Sequence, residues 1–185
     1  MTGSMIPKTL LTMSLMILLS GCDNSADSTS SIAEAPQASL SLNQWFDARY
    51  EEELQFSPVQ LSFLGRKERN NELGSFSYEA FTEELAWKKQ TVEELRELYD
   101  YASLTPAEQV SYDIWVYQYE QAAASAAYFY NGLSFDQMSG IQSFIPTFLI
   151  NFHRVEDEGD LRAYVARIKD VAPRMQEMLE TAQKS

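Results

Sequence analysis

Apolar residues recur at intervals of three or four through most of the chain after residue 40. In the clearest run, which includes one interval of seven, they fall on a single helical face: Tyr78, Phe81, Leu85, Val92, Leu95, Tyr99 and Ala102. Alternating two-residue patterns, which would indicate strands, are scarce. The pattern predicts an all-α domain over residues 41–185, a bundle-like fold of about five to six helices.

Turn, cap and proline residues set the predicted helix boundaries. The helix that follows Thr105 has the strongest local signal, because Thr105, Pro106 and Glu108 form a capping box with proline at the first helical position. The predicted helices are Asn43–Phe56, a short one ending at Gly65, Tyr78–Ala102, Pro106 to about Tyr130, Ile141–Phe152 with a bend at Pro146, and a last one from about Gly159 that Pro173 is expected to break.

Seven aromatic residues surround the predicted helix after Thr105: Tyr112, Trp115, Tyr117, Tyr119, Tyr128, Phe129 and Tyr130. Aromatic residues on several sides predict a central, mostly buried helix, because only a helix that is covered all round can hide them. A stacking surface for a sugar or a peptide is the alternative.

The N-terminus has the layout of a signal peptide: Lys8, then an apolar run from Leu10 to Leu19, then small residues. The run is shorter than the roughly 20 residues that cross a membrane as a helix. Residues 19–22, Leu-Ser-Gly-Cys, resemble a bacterial lipobox, so we expect cleavage of residues 1–21 and attachment of lipid to Cys22. The alternative is an ordinary secretory signal that leaves one free thiol, since Cys22 is the only cysteine.

A lipid on Cys22 makes a membrane the expected partner and the periplasmic face of the cell envelope the expected location. Asp23 resembles an inner-membrane retention signal, and the outer membrane is the alternative. Residues 22–40 are rich in Ser, Ala, Asp and Asn and predict a flexible tether of roughly 20–25 Å. Nucleic acid is not an expected partner, because the chain has 27 acidic against 14 basic residues.

The chain lacks the residue patterns of the common hydrolases. Zinc hydrolysis through H-E-x-x-H needs two histidines, and His153 is the only one. The acidic run 156–160 fails as a calcium loop, and the residues around Ser139 do not form a nucleophile elbow. We therefore predict no catalytic residue, no metal ligand and no cofactor in this chain, and a structural role for His153.

Several blocks together resemble the N-terminal part of the bacterial domain-of-unknown-function family 885. The blocks are residues 46–51 (Phe-Asp-Ala-Arg-Tyr-Glu), Ser57-Pro58, Leu64-Gly65, residues 104–109 (Leu-Thr-Pro-Ala-Glu-Gln) with Tyr112-Asp113, residues 137–140 (Gln-Met-Ser-Gly), Phe148-Leu149, His153, and last Asp160, Ala163-Tyr164 and Ala166-Arg167-Ile168. The resemblance implies a helical, exported lipoprotein that is similar to zinc metallopeptidases through a His-Glu motif in the C-terminal half. That motif would lie beyond Ser185, so zinc and a peptide substrate are implied only for a longer form.

Two hypotheses follow. In the first, residues 41–185 are the N-terminal helical part of a metallopeptidase-like lipoprotein and form one wall of a substrate cleft, with no activity of their own. In the second, the chain is a self-contained binding lipoprotein that presents the aromatic-rich helix to a peptide, a glycan or a partner helix. Gln137 and His153 are the candidates for side chains that face a cleft.

Overall fold

The computed structural model describes residues 40–185. The predicted signal peptide 1–21, the expected lipidation site Cys22 and all but the last residue of the predicted tether lie outside the described residues. No helix within residues 40–185 combines the length and the apolar character needed to cross a membrane.

Six α-helices make up the described part of the chain, and no strand occurs within it. They are α1 Leu42–Glu53, α2 Pro58–Phe63, α3 Tyr78–Leu98, α4 Pro106–Ser125, α5 Ile141–Asn151 and α6 Glu158–Gln183. Short 3-10 segments follow α1, α3 and α4, at Leu54–Phe56, Tyr101–Ser103 and Ala126–Asn131. The predicted all-α class is confirmed.

Side-chain caps explain where five of the six helices begin, the exception being α5, which follows Gly140. The capping box predicted at Thr105 is present: the Thr105 hydroxyl accepts from the Glu108 amide, and the Glu108 carboxylate accepts from the Thr105 amide at 2.9 Å. Ser41 forms a second box with Gln44 ahead of α1. Each cap satisfies amides that the first helical turn leaves without partners.

The long helix α3 ends at Leu98, four residues before the predicted end at Ala102. Tyr99 is extended, and the Asp100 carboxylate accepts a hydrogen bond from the Ala102 amide at 3.3 Å. Aspartate side chains compete in this way with the helical hydrogen-bond pattern. A 3-10 turn therefore replaces the last predicted turn of the helix.

The core has two parts. The first joins α1 to α3 and α4: Trp45 is fully buried and lies edge-on to Trp115, with ring centroids 5.7 Å apart. The second joins α2, the loop before α3, α5 and α6, and its buried members are Val59, Leu73, Ile141, Ile145, Phe148 and Leu149. The functional geometry described below lies in and around this second core.

The prediction that α4 is central and mostly buried is wrong. None of its residues is fully buried, and Val110, Ile114 and Tyr117 are more than half exposed. Its aromatic residues divide between two environments, because Trp115 packs into the first core while Tyr117 lies on the opposite side of the helix. The helix packs on α3 along one side, and no other described element covers the exposed residues.

The prediction that Pro173 breaks the last helix is also wrong, since α6 is continuous from Glu158 to Gln183. Proline removes one amide donor and thereby frees the carbonyl of residue 169. Both Lys169 and Pro173 are exposed, so water can hydrate that carbonyl. The helix continues because its inner face is held by the second core, to which Val171, Met175 and Met178 contribute.

Candidate functional site

Arg167 is the most constrained polar residue of the described chain. It lies on α6, its side chain is fully buried, and its guanidinium group packs over the Phe148 ring at 5.0 Å. No carboxylate lies within ion-pair distance of it in residues 40–185, and burial lowers its pKa to about 10. The cation is therefore held by neutral acceptors.

Five acceptors match the five N–H groups of the guanidinium group. Nε donates to the Glu72 carbonyl at 2.8 Å, and Nη2 donates to the Pro58 carbonyl at 3.2 Å and to the Ser62 hydroxyl at 2.8 Å. Nη1 donates to Asn70 Oδ1 at 3.0 Å and to His153 Nδ1 at 2.9 Å. The arginine thus ties α6 to α2, to the loop before α3 and to the segment after α5.

His153 is buried in this network, and the arginine fixes its tautomer. Because Arg167 can only donate, His153 Nδ1 must accept, so the proton of the neutral ring is on Nε2. That nitrogen lies 3.2 Å from the Asp160 carbonyl, which accepts from it. Burial lowers the pKa of His153 and the nearby guanidinium group lowers it further. The ring is a satisfied part of the core, and Tyr164 packs against it edge-on at 5.1 Å.

The carboxylate of Asp160 holds the start of α6. It accepts from Lys67 Nζ at 2.8 Å and from the Glu156 amide at 2.9 Å. The hydrogen bond from Lys67 is the largest cause that lowers the pKa of Asp160, and the one from the Glu156 amide lowers it further. Lys67 also reaches the Glu156 carboxylate at 2.9 Å. Asp160, Tyr164 and Arg167 lie on one helical face, which gives the last block of the resemblance a structural role.

Gln137, the other residue predicted to face a cleft, lies on the surface between α4 and α5. The turn around it is organised by Asp136, whose carboxylate accepts from the Met138 and Ser139 amides at 2.7 Å each. The structure does not bring Gln137 and His153 together, and neither lines the largest described cavity.

That cavity, of about 690 Å³, lies between the start of α3, the segment after α4 and the end of α6. Its apolar wall consists of Phe56, Phe76, Phe81, Phe129, Leu133 and Met178. Its polar lining includes Arg69, Ser75, Ser77, Glu83 and Glu84. A mainly apolar concavity with a few convergent polar groups is the usual form of a ligand site, and this volume lies in the usual range.

One wall of the cavity is the loop before α3, which side chains of α6 hold in place. The Phe76 amide donates to Glu177 at 3.0 Å, and the Leu73 amide donates to Asp170 at 3.1 Å. Arg174 pairs with both carboxylates. At Gly74, φ is +81° and an added Cβ would lie 3.0 Å from Pro58 Cδ, so the loop needs glycine there.

Glu84 is the titratable group that the cavity perturbs. Burial raises its pKa, Glu53 raises it further, and Lys88 opposes both. The Lys88 ammonium lies 4.0 Å from Glu84 and is also hydrogen-bonded to Glu53, so the two carboxylates share one cation. A carboxyl group with a perturbed pKa in a cleft is a candidate binding residue.

The described residues do not present a metal centre: no group of three or more His, Cys, Asp or Glu side chains in residues 40–185 is placed to hold an ion. Neither the buried role of Arg167 nor the cavity was predicted from the sequence. The available signal for Arg167 was its position on the apolar face of α6, in line with Tyr164, Val171 and Met178.

Comparison with known proteins shows the family of the chain. A family described as "Bacterial protein of unknown function (DUF885)" matches residues 58–185. The chain belongs to this family. The DUF885 match covers α2 to α6 and therefore includes the Arg167 network and nearly all of the cavity lining. No curated protein and no solved structure matches the chain.

His153 is the only histidine, so a change in the free energy of unfolding of the DUF885 chain near pH 6.5 can be assigned to it. Unfolded histidine titrates near pH 6.5, and burial lowers the pKa in the folded chain. Just below pH 6.5 the unfolded state therefore binds more protons than the folded state. His153 contributes its full stability above pH 6.5, and this contribution is lost as the pH falls. Urea unfolding at about pH 7.5 and 5.5 measures this loss.

The matched variant is His153→Asn, which keeps an acceptor for Arg167 but does not titrate. Its free energy of unfolding should fall less between the two pH values than that of the native chain. An imidazole that titrates at or above pH 6.5 by NMR, or an equal pH dependence in both proteins, would contradict the assigned tautomer and burial.

Proposed function

We propose that this DUF885 protein is an exported, lipid-anchored member of its family and that its helical domain forms one wall of a peptide-binding cleft in a metallopeptidase-like protein. The observation that carries the proposal is the cavity between α3, the segment after α4 and α6. Its phenylalanine side chains can cover apolar parts of a peptide, while its serine and carboxyl groups can meet the polar ones.

A further part of the family domain would supply the zinc site, and exposed apolar residues support its presence. Leu161, Val165, Ile168 and Leu179 on α6 are each more than two-fifths exposed and follow helical spacing along one face. Val110, Ile114 and Tyr117 form a second exposed group on α4. Apolar surface in contiguous rows usually marks a contact with another segment or protein.

The exposure of α4 also supports the second candidate, a self-contained binding lipoprotein that uses this helix. Tyr117 and Tyr128 are 60% and 66% exposed, so their rings are available for stacking. We place this candidate second because Tyr112, Trp115 and Phe129 are engaged in contacts with other aromatic rings. The exposed rings are therefore isolated on the surface, whereas the cavity is a concave site with several residues lining it.

The lipid anchor is tested by Cys22→Ser. The native chain should incorporate labelled fatty acid and sediment with membranes, because thioether-linked lipid would be its attachment, whereas Cys22→Ser should be unlabelled and soluble in the periplasmic fraction. Ser28→Ala, in the predicted tether, serves as the control and should behave as the native chain. A Cys22→Ser protein that still sediments with membranes would overturn this part of the proposal.

The cleft is tested by filling it. Ala80 lines the cavity on α3, whereas Ala86 on the same helix is exposed and lies outside it. Ala80→Phe should weaken the binding of short capped peptides to the detergent-solubilised chain by about tenfold or more, and Ala86→Phe should leave it unchanged. Equal binding by both variants would rule out the cavity as the cleft. Cleavage of the peptides by the 185-residue chain would contradict the assignment of the zinc chemistry to another part of the domain.

A further inference from the structure

We propose that the cavity selects a positively charged peptide side chain, Lys or Arg, whose apolar stem lies among the phenylalanine rings and whose cationic group lies beside Glu83 and Glu84. The inference rests on the proposed peptide-binding function and adds the chemical class that the site prefers.

The balance of charge at the cavity is negative. Arg69 is the one cationic residue among its described lining residues, and it is paired with Glu72 at 2.6 Å and bonded to the Gln55 carbonyl. Lys88, the cation nearest Glu84, is hydrogen-bonded to Glu53. Glu84 shares this one ammonium with Glu53, and Glu83 forms no ion pair within the described residues, so a ligand cation would complement the two carboxylates.

Because Glu84 is partly buried, it should discriminate between cationic and neutral ligand side chains more strongly than Glu83 does. A partly desolvated carboxylate gains more from a nearby cation than one in bulk water, because the local dielectric constant is lower. The charged groups that act on it are Lys88 from α3 and Glu53 from α1, and Glu83 lines the same cavity. A neutral side chain in the cavity would displace water from Glu84 and offer no partner, and an acidic one would be repelled.

The aromatic wall can pack against the apolar stem of such a side chain and can attract its cationic group. Phe81 and Phe129 lie 5.1 Å apart between ring centroids and are joined to Tyr78 and Tyr130 in one cluster. The protein itself places an ammonium on this cluster, with Lys184 Nζ 5.5 Å from the Tyr130 ring centroid. Cations are attracted to aromatic faces at such distances.

The test compares four capped tripeptides, Ac-Ala-Xaa-Ala-NH2, in which Xaa is Arg, Lys, norleucine or Glu. Calorimetric titration of the detergent-solubilised 185-residue chain gives a Kd for each. The Arg and Lys peptides should bind at least about tenfold more tightly than the norleucine peptide, which has a similar stem without the charge, and the Glu peptide should bind most weakly.

The charge-neutral double variant Glu83→Gln/Glu84→Gln should lose this preference and retain the binding of the norleucine peptide. The control is Glu93→Gln/Glu97→Gln, which makes the same change on exposed positions of α3 outside the cavity and should keep the preference. Peptides that bind without regard to charge, or a preference that survives in the cavity variant, would overturn this inference alone. Failure of every peptide to bind would overturn the peptide-binding function as well.

Discussion

The fold around the cavity depends on one buried cation, Arg167. Burying a guanidinium group without compensation is costly, and no carboxylate is placed to pair with it in the described chain. The cost is offset because all five of its N–H groups meet acceptors on α2, on the loop before α3 and on His153. Because each acceptor must stay within hydrogen-bond distance, the arginine fixes the position of three separate segments relative to α6.

The same helix positions the cavity wall. Asp170 and Glu177, one and nearly three turns after Arg167, hold the amides of Leu73 and Phe76 on the adjoining loop. The described structure therefore uses the polar groups of α6 to order a loop that has no regular secondary structure, and this loop forms part of the site. Arg167, Asp170 and Glu177 of α6 therefore shape the cavity.

Features decided by neighbouring residues could be predicted from the sequence, and those decided by distant ones could not. The capping box at Thr105 was predictable because its partner is three residues away. The surface position of α4 was not, since burial depends on which elements cover each side. Pro173 failed as a helix breaker because tertiary packing outweighs a local penalty. The acceptors of Arg167 lie between 14 and 109 positions from it, and two are main-chain carbonyls with no sequence signature.

The central role of Arg167 is tested most directly by Arg167→Met, compared with Arg162→Met on the exposed side of the same helix. Loss of the buried donors should reduce the free energy of unfolding by about 3–5 kcal/mol and speed amide hydrogen exchange in residues 66–77, because five acceptors lose a hydrogen bond from Arg167. Arg162→Met should change stability by no more than about 0.5 kcal/mol. Equal stability and equal exchange in the two variants would contradict the account.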